Sequence, residues 1–303
     1  MARRRIADQE VSRLAVWARR VAFFSLAATL VAIIIVRSGA LEIVPALSTL
    51  AGALVLAVIA ILLALGAGVV IWIEGCSGLR QAISALLIGM ALIAYPAYLG
   101  VKAYRLPAIY DISTDPIDPP QFDAIARLRP RDANPIVYAG LYTAELQHAA
   151  YSDIEPDVTD STPQQAYDAA MKVIAKRRWR VVDSRPPQGV APLPGARVVD
   201  ARASPGAAPR DGLIEAVART PILGFRDDVV VRIRATPDGA RIDVRSASRY
   251  GRHDLGTNAA RVRALLSDID DILATPAPEK KQPAPKPKPK PTQAAGKAGP
   301  AKR

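Results

Sequence analysis

The densest set of chemistry-bearing residues in this chain is the stretch Arg249 to Asn258, RYGRHDLGTN, which leads into an apolar-striped helix. Cationic side chains beside unpaired helix N-terminal amides suit a phosphate or carboxylate group. Arg249, Arg252, His253, Thr257 and Asn258 are therefore candidate anion ligands, and an enzyme acting on a phosphate- or carboxylate-bearing substrate would use them with Asp254. The competing reading is that Asp254 and its neighbours only pin the turn between strand and helix. A second set, Arg232, Arg234 and Arg245, alternates along two predicted strands and so falls on one sheet face. With Arg249, and a single aspartate among them, that face is either solvated charge or a weak polyanion-binding patch.

Other chemistries find no support. The only histidines are His148 and His253, and there is no HExxH, no GxSxG elbow and no phosphate-cradling glycine loop. Asp227 and Asp228 are adjacent on a strand, so they point to opposite faces and are poorly placed to share one proton. Asp111, Asp115 and Asp118 lack the glycine and terminal glutamate of a calcium loop and read as turn-makers among prolines. The one cysteine, Cys76, permits neither an intramolecular disulfide nor a cysteine-built zinc site. No cofactor or metal is implied.

The elements that position these residues read as follows. Ser161 or Thr162 caps a helix from Pro163 to about Lys176, with Ala166, Ala170, Val173 and Ile174 inward. Strands follow at 179–182, 213–220, 228–234 and 241–249. A loop at 185–211 carries six prolines. Thr257 or Asn258 caps a last helix to about Leu273, striped by Val262, Leu265, Leu266 and Ile269. If Asp238-Gly239 makes a two-residue turn, Ile233 faces Val244, Val231 faces Ser246, Arg234 faces Asp243 and Arg232 faces Arg245.

Ahead of this lie three uncharged apolar runs, at 21–36, within 42–74 and within 80–102. Each approaches or exceeds the ~20 helical residues that cross a bilayer. The first extends to Leu14 if Arg19 and Arg20 snorkel; a cleaved signal peptide ending near Ser38-Gly39-Ala40 is its alternative. Pro45 marks a helix start in the second, and Gly52, Gly66, Gly68 and Gly89 would permit close helix contacts, or are ordinary glycines of membrane helices. Three spans would put the N-terminus, with its arginines, in the cytoplasm and the polar part on the opposite face.

Charge is concentrated at the ends. Residues 1–20 carry six arginines against Asp8 and Glu10, a net of +4, and residues 275–303 carry +7 of the total +12. About +1 remains for everything between, so the basic pI does not make the folded part a nucleic-acid binder. The tail, PAPEKKQPAPKPKPKP and beyond, is too polar and proline-rich to fold and should be disordered and extended.

Four ordered blocks are recognisable together: Asp111 to Phe122, Tyr151 to Pro156 (YSDIEP), Gly224 to Val229 (GFRDDV), and Asp243 to Ser246 with GRHDLGTNAARVRAL. Over roughly residues 105–273 the chain resembles a bacterial family known as domain of unknown function 1499. The resemblance implies no activity, cofactor or catalytic residue. The loop 185–211 and the tail depart from the family pattern.

The expectation is an α+β protein: a basic N-terminus (1–20), transmembrane helices (21–101), a soluble domain (105–273) with an antiparallel sheet packed with two helices, and a disordered Lys/Pro-rich tail (275–303). It would be a multi-pass protein of the bacterial inner membrane with a periplasmic domain. A non-enzymatic role is favoured, with the lipid bilayer as one partner and a cell-wall polymer, anionic lipid or envelope protein as another.

Overall fold

The computed structural model describes residues 10–188 and 210–275. The N-terminal arginines Arg3, Arg4 and Arg5, most of the proline-rich loop and nearly all of the Lys/Pro-rich tail lie outside the described residues.

Three helices come first, α1 (Arg13–Ser38), α2 (Ile43–Glu74) and α3 (Leu79–Arg105), each long and apolar enough to cross a membrane. What holds them together is small side chains. α1 buries Ala15, Ala18, Ala22, Ser25, Thr29, Ala32 and Val36, and α2 buries Ala53, Ala57, Ala60, Ala64 and Ala67. Alternating steps of three and four put each set on one helix face, and the missing bulk lets the backbones approach. Ser25 Oγ donates to the Ala53 carbonyl at 2.8 Å across this seam. α3 joins through Ala82, Ala85 and Gly89. A Cβ at Gly89 would lie 2.5 Å from Ile61 Cγ1, whereas Gly52, Gly66 and Gly68 face open space. Of the four glycines picked from sequence, then, only Gly89 makes a close helix contact. Large residues such as Phe24, Ile34, Leu62, Trp72 and Leu87 point outward, as lipid-facing residues do.

The helices alternate in direction. Ser12 N–H donates to the Ser77 carbonyl at 2.9 Å, which sets the start of α1 beside the α2–α3 turn. The α1–α2 turn and the end of α3 lie together at the other end, and there the remainder of the chain is seated.

That remainder runs β1 (Asp111–Ser113), α4 (Ala124–Leu128), α5 (Leu141–Ala150), β2 (Asp157–Thr159), α6 (Pro163–Lys176), β3 (Arg180–Arg185), β4 (Gly212–Arg219), β5 (Arg226–Thr236), β6 (Gly239–Ser248) and α7 (Thr257–Ala274). The six strands form one antiparallel sheet in the order β1-β6-β5-β4-β3, with β2 also paired to β6. One face carries Ile214, Val229, Val231, Ile233, Ile242 and Val244 and is covered by α6 and α7 through Ala170, Val173, Ile174, Val262, Leu265 and Ile269. The chain is thus α+β, with the antiparallel sheet packed with two helices as expected.

α6 has the bounds read from sequence, because Thr162 and Gln165 form a reciprocal capping box ahead of Pro163. The hairpin differs. Thr236 pairs with Gly239, so the two-residue loop is Pro237-Asp238; Val231 faces Val244, Ile233 faces Ile242, Arg232 faces Asp243 and Arg234 faces Arg241. The pairing moves by two residues, so every side chain keeps its face. Gly239 is needed within the strand rather than in the turn: a Cβ there would fall 2.1 Å from the Thr159 carbonyl oxygen, where β2 crosses.

Candidate functional site

The sheet's second face was expected to be open. Instead the chain from Thr114 to Tyr138 is strapped across it, burying Phe122, Ile125 and Val230. Glu215, inside on β4, accepts the amides of Asp123, Ala124 and Ile125 at 2.8–3.0 Å and so fixes the start of α4. This negative charge at the first turn matches the helix dipole.

Beneath the strap, the arginines of the expected basic patch are matched by carboxylates. Arg245, with no exposed surface, donates to both oxygens of Asp111 (3.0 and 2.7 Å) and to the carbonyls of Pro120 and Ile136, its guanidinium lying over the Phe122 and Tyr138 rings. Burial pushes the Asp111 carboxyl up in pKa and the Arg245 hydrogen bonds pull it back. Arg232, Arg234 and Arg241 share Asp243, Asp115 and Asp118, with contacts from 2.6 to 3.1 Å among them. Asp115 also accepts the Ile117 and Asp118 amides, the turn-making role expected of it. Arg232, Arg234 and Arg245 therefore hold the strap to the sheet, and Arg245 is out of reach of any ligand.

The RYGRHDLGTN segment is engaged in the same way. Arg249 chelates Asp228 at 2.7–3.1 Å, with Arg129 at 3.1 Å from the same carboxylate. Burial raises the Asp228 pKa against these two arginines. Asp227 points to the other face and pairs with Arg261. The α7 amides, expected to be open to an anion, are taken by Asp254, which accepts from Gly256 and Asn258 at 2.9 and 2.8 Å. The residue at the helix start is Gly256, with φ 73°, so neither Thr257 nor Asn258 is the cap. Asn258 is buried, bonding Ser246, Ser248 and the Tyr110 carbonyl. His253 Nδ1 accepts the Leu255 amide at 3.0 Å, which leaves Nε2 as the protonated nitrogen, facing the carbonyls of Ala103 and Leu106 at 3.2 and 3.1 Å. The segment ties α7 to the end of α3, and only Arg252 of the five candidates is exposed.

A cleft of about 420 Å³ opens at this junction. One wall is the α1–α2 turn, with Val36, Leu41 and Ile43; the other is Phe225, Arg226 and Tyr250. Arg37 closes one end and donates to the Pro221 and Ile222 carbonyls at 2.5 and 3.3 Å. Arg226 makes no salt bridge with any described residue, and burial followed by the like charges of Arg219, Arg249 and Arg180 lowers its pKa. Sequence reading missed this cleft. GFRDDV was noticed only as a family block, and nothing local connects it to Arg37, some 190 positions earlier.

Fold and junction together define a class: a membrane-anchored protein whose α+β domain is seated on the ends of its own spanning helices. The family model described as Protein of unknown function (DUF1499) matches residues 111–269, more than half of the chain, and the protein belongs to that family. No curated protein and no solved structure matches it.

Proposed function

We propose that this is a non-enzymatic, multi-pass protein of the bacterial inner membrane, with a cytoplasmic N-terminus and a periplasmic domain that binds an anionic ligand or envelope partner at its membrane-facing end. The observation that carries the reading is the two-point seat of the domain: Arg37 on Pro221 and Ile222, and His253 on the end of α3, both at the helix ends opposite the N-terminus. Three crossings with the arginine-rich end inside put that seat on the outer face.

The reading favours binding over catalysis because Arg249 is occupied by Asp228, His253 by the end of α3, and Asn258 by Ser246, Ser248 and the Tyr110 carbonyl. Arg37 and Arg226 line the junction cleft, with Arg219 across the strand from Arg226, and none of the three forms a salt bridge with the described residues, a field suited to an anionic partner.

The test replaces Cys76 and introduces single cysteines before Val21 and in the tail. Intact cells are then treated with a membrane-impermeant thiol reagent. Labelling of the tail alone is the expected result. A protected tail removes the periplasmic reading and makes inner-leaflet lipid or cytosolic polyanions the candidates.

A further inference from the structure

The cleft between the α1–α2 turn and the start of β5 carries a more specific assignment, which rests on the reading of α1 to α3 as membrane spans. We infer that it is a binding site for the headgroup phosphate of an anionic phospholipid, held by Arg226 and Arg37, with the acyl chains lying against the apolar ends of α1 and α2.

The first support is a contrast in charge pairing. On the strapped face and on α7 the arginines have been given carboxylates: Arg232, Arg234, Arg241, Arg245, Arg249, Arg261 and Arg263 all have one. Arg226 instead has Arg219, Arg180 and Arg249 as charged neighbours, and Arg219 is its cross-strand partner. Like charges directly opposite on a sheet are destabilising, and an anion between Arg226 and Arg37 would relieve the contact between Arg226 and Arg219. The acidic groups in the lining do not fill it. Asp132 is hydrogen-bonded to the Tyr250 hydroxyl, and Glu42 stands at the start of α2 without capping it.

The second support is the apolar wall. Leu41 is 46% exposed in the cleft, Val36, Ile43 and Phe225 line it as well, and the neighbouring Val44 on α2 is 70% exposed. A soluble phosphate has no use for that wall, whereas a lipid brings chains to cover it. The volume lies within the ~300–1,000 Å³ range of small-ligand sites.

The test uses the full-length protein in neutral detergent, with the thermal midpoint followed while short-chain phosphatidylglycerol, phosphatidylcholine of equal chain length, or inorganic phosphate is added. Phosphatidylglycerol is expected to raise the midpoint, with the other two well behind. Arg226→Ala is expected to need about tenfold more phosphatidylglycerol for the same shift, as the loss of a charge-assisted phosphate contact implies. Arg226→Lys should recover part of the response, and Lys172→Ala, a charge-matched change on α6, should respond as wild type. Without lipid, Arg226→Ala should keep its midpoint or raise it, because a like-charge contact is relieved.

An equal response to phosphatidylcholine, an equal response to inorganic phosphate, or an unchanged response in Arg226→Ala would each overturn the assignment. So would a lowered lipid-free midpoint in Arg226→Ala, which would make that arginine structural. None of these results bears on the cysteine labelling. A protected tail together with an intact phosphatidylglycerol response would move the site to the inner leaflet without removing it.

Discussion

Asp111→Ala should cost about 3–5 kcal/mol, because it leaves the Arg245 guanidinium charged and buried with half its partners gone. Arg245 has no exposed surface and donates four hydrogen bonds, two to Asp111 and one each to the Pro120 and Ile136 carbonyls. The carbonyls cannot compensate a full charge. Water cannot easily reach it either, since Phe122 and Tyr138 lie over the group. Asp111→Asn retains an acceptor and should cost less, about 1–3 kcal/mol. Arg245→Met in the Asp111→Asn background should recover much of the loss, because removing both charges also removes the desolvation penalty. Against a total stability of about 5–15 kcal/mol, the first loss is large. The assay is urea unfolding of full-length protein in detergent, with Trp17 and Trp72 changed to Phe so that Trp179 reports alone among the three tryptophans. A loss below about 1 kcal/mol for Asp111→Ala would refute the reasoning, since it would mean that solvent or another anion reaches Arg245.

Gly89→Ala should loosen the helix bundle and lower the midpoint by the equivalent of about 1–3 kcal/mol, an overpacking cost, while Gly66→Ala should leave it unchanged. Equal effects of the two would contradict the close approach of α3 to Ile61. The Asp270 pKa is raised to about 6 by burial and then by its hydrogen bond to, and repulsion by, Asp157. Between pH 3.8 and about 6 the folded state holds a proton that the unfolded state has released, so stability falls as pH rises through that window. Asp270→Asn should therefore flatten this slope and stabilise the protein at pH 7. Full conversion of the shift gives ~3 kcal/mol, and solvent screening at this exposed residue reduces it to roughly 1. Unfolding curves at pH 4, 6 and 8 for both proteins measure it, and an unchanged slope would contradict the carboxyl pairing.

What could be read in the sequence was local. α6 announced itself through Thr162 and Pro163, and the sheet's helix-covered face through the apolar alternation of the strand 228–234. The hairpin was found, but Asp238-Gly239 drew the turn one residue late; the demand on Gly239 comes from Thr159 and Asp160, about 80 residues away. The alanines of α1 and α2 carried a readable signal in their alternating three- and four-residue steps, yet attention to glycine passed over it. The strap was not readable. It has little periodicity, its prolines break regular patterns, and its anchors are pairs such as Asp111 with Arg245 or Glu215 with the α4 amides, separated by 90 to 134 residues. The arginine patch misled for the same reason: the strand register showed a shared face, and the carboxylates that neutralise it arrive from elsewhere.

The two-point seat turns the sheet into a ruler. β5 begins at Arg226 beside the helix ends and runs 11 residues to the Pro237-Asp238 turn, a length of about 36 Å at ~3.3 Å per residue. Because Arg37 and His253 fix the sheet at separate points, it cannot swivel freely about a single tether. Whatever meets the far hairpin is therefore met in an orientation fixed relative to the helix ends.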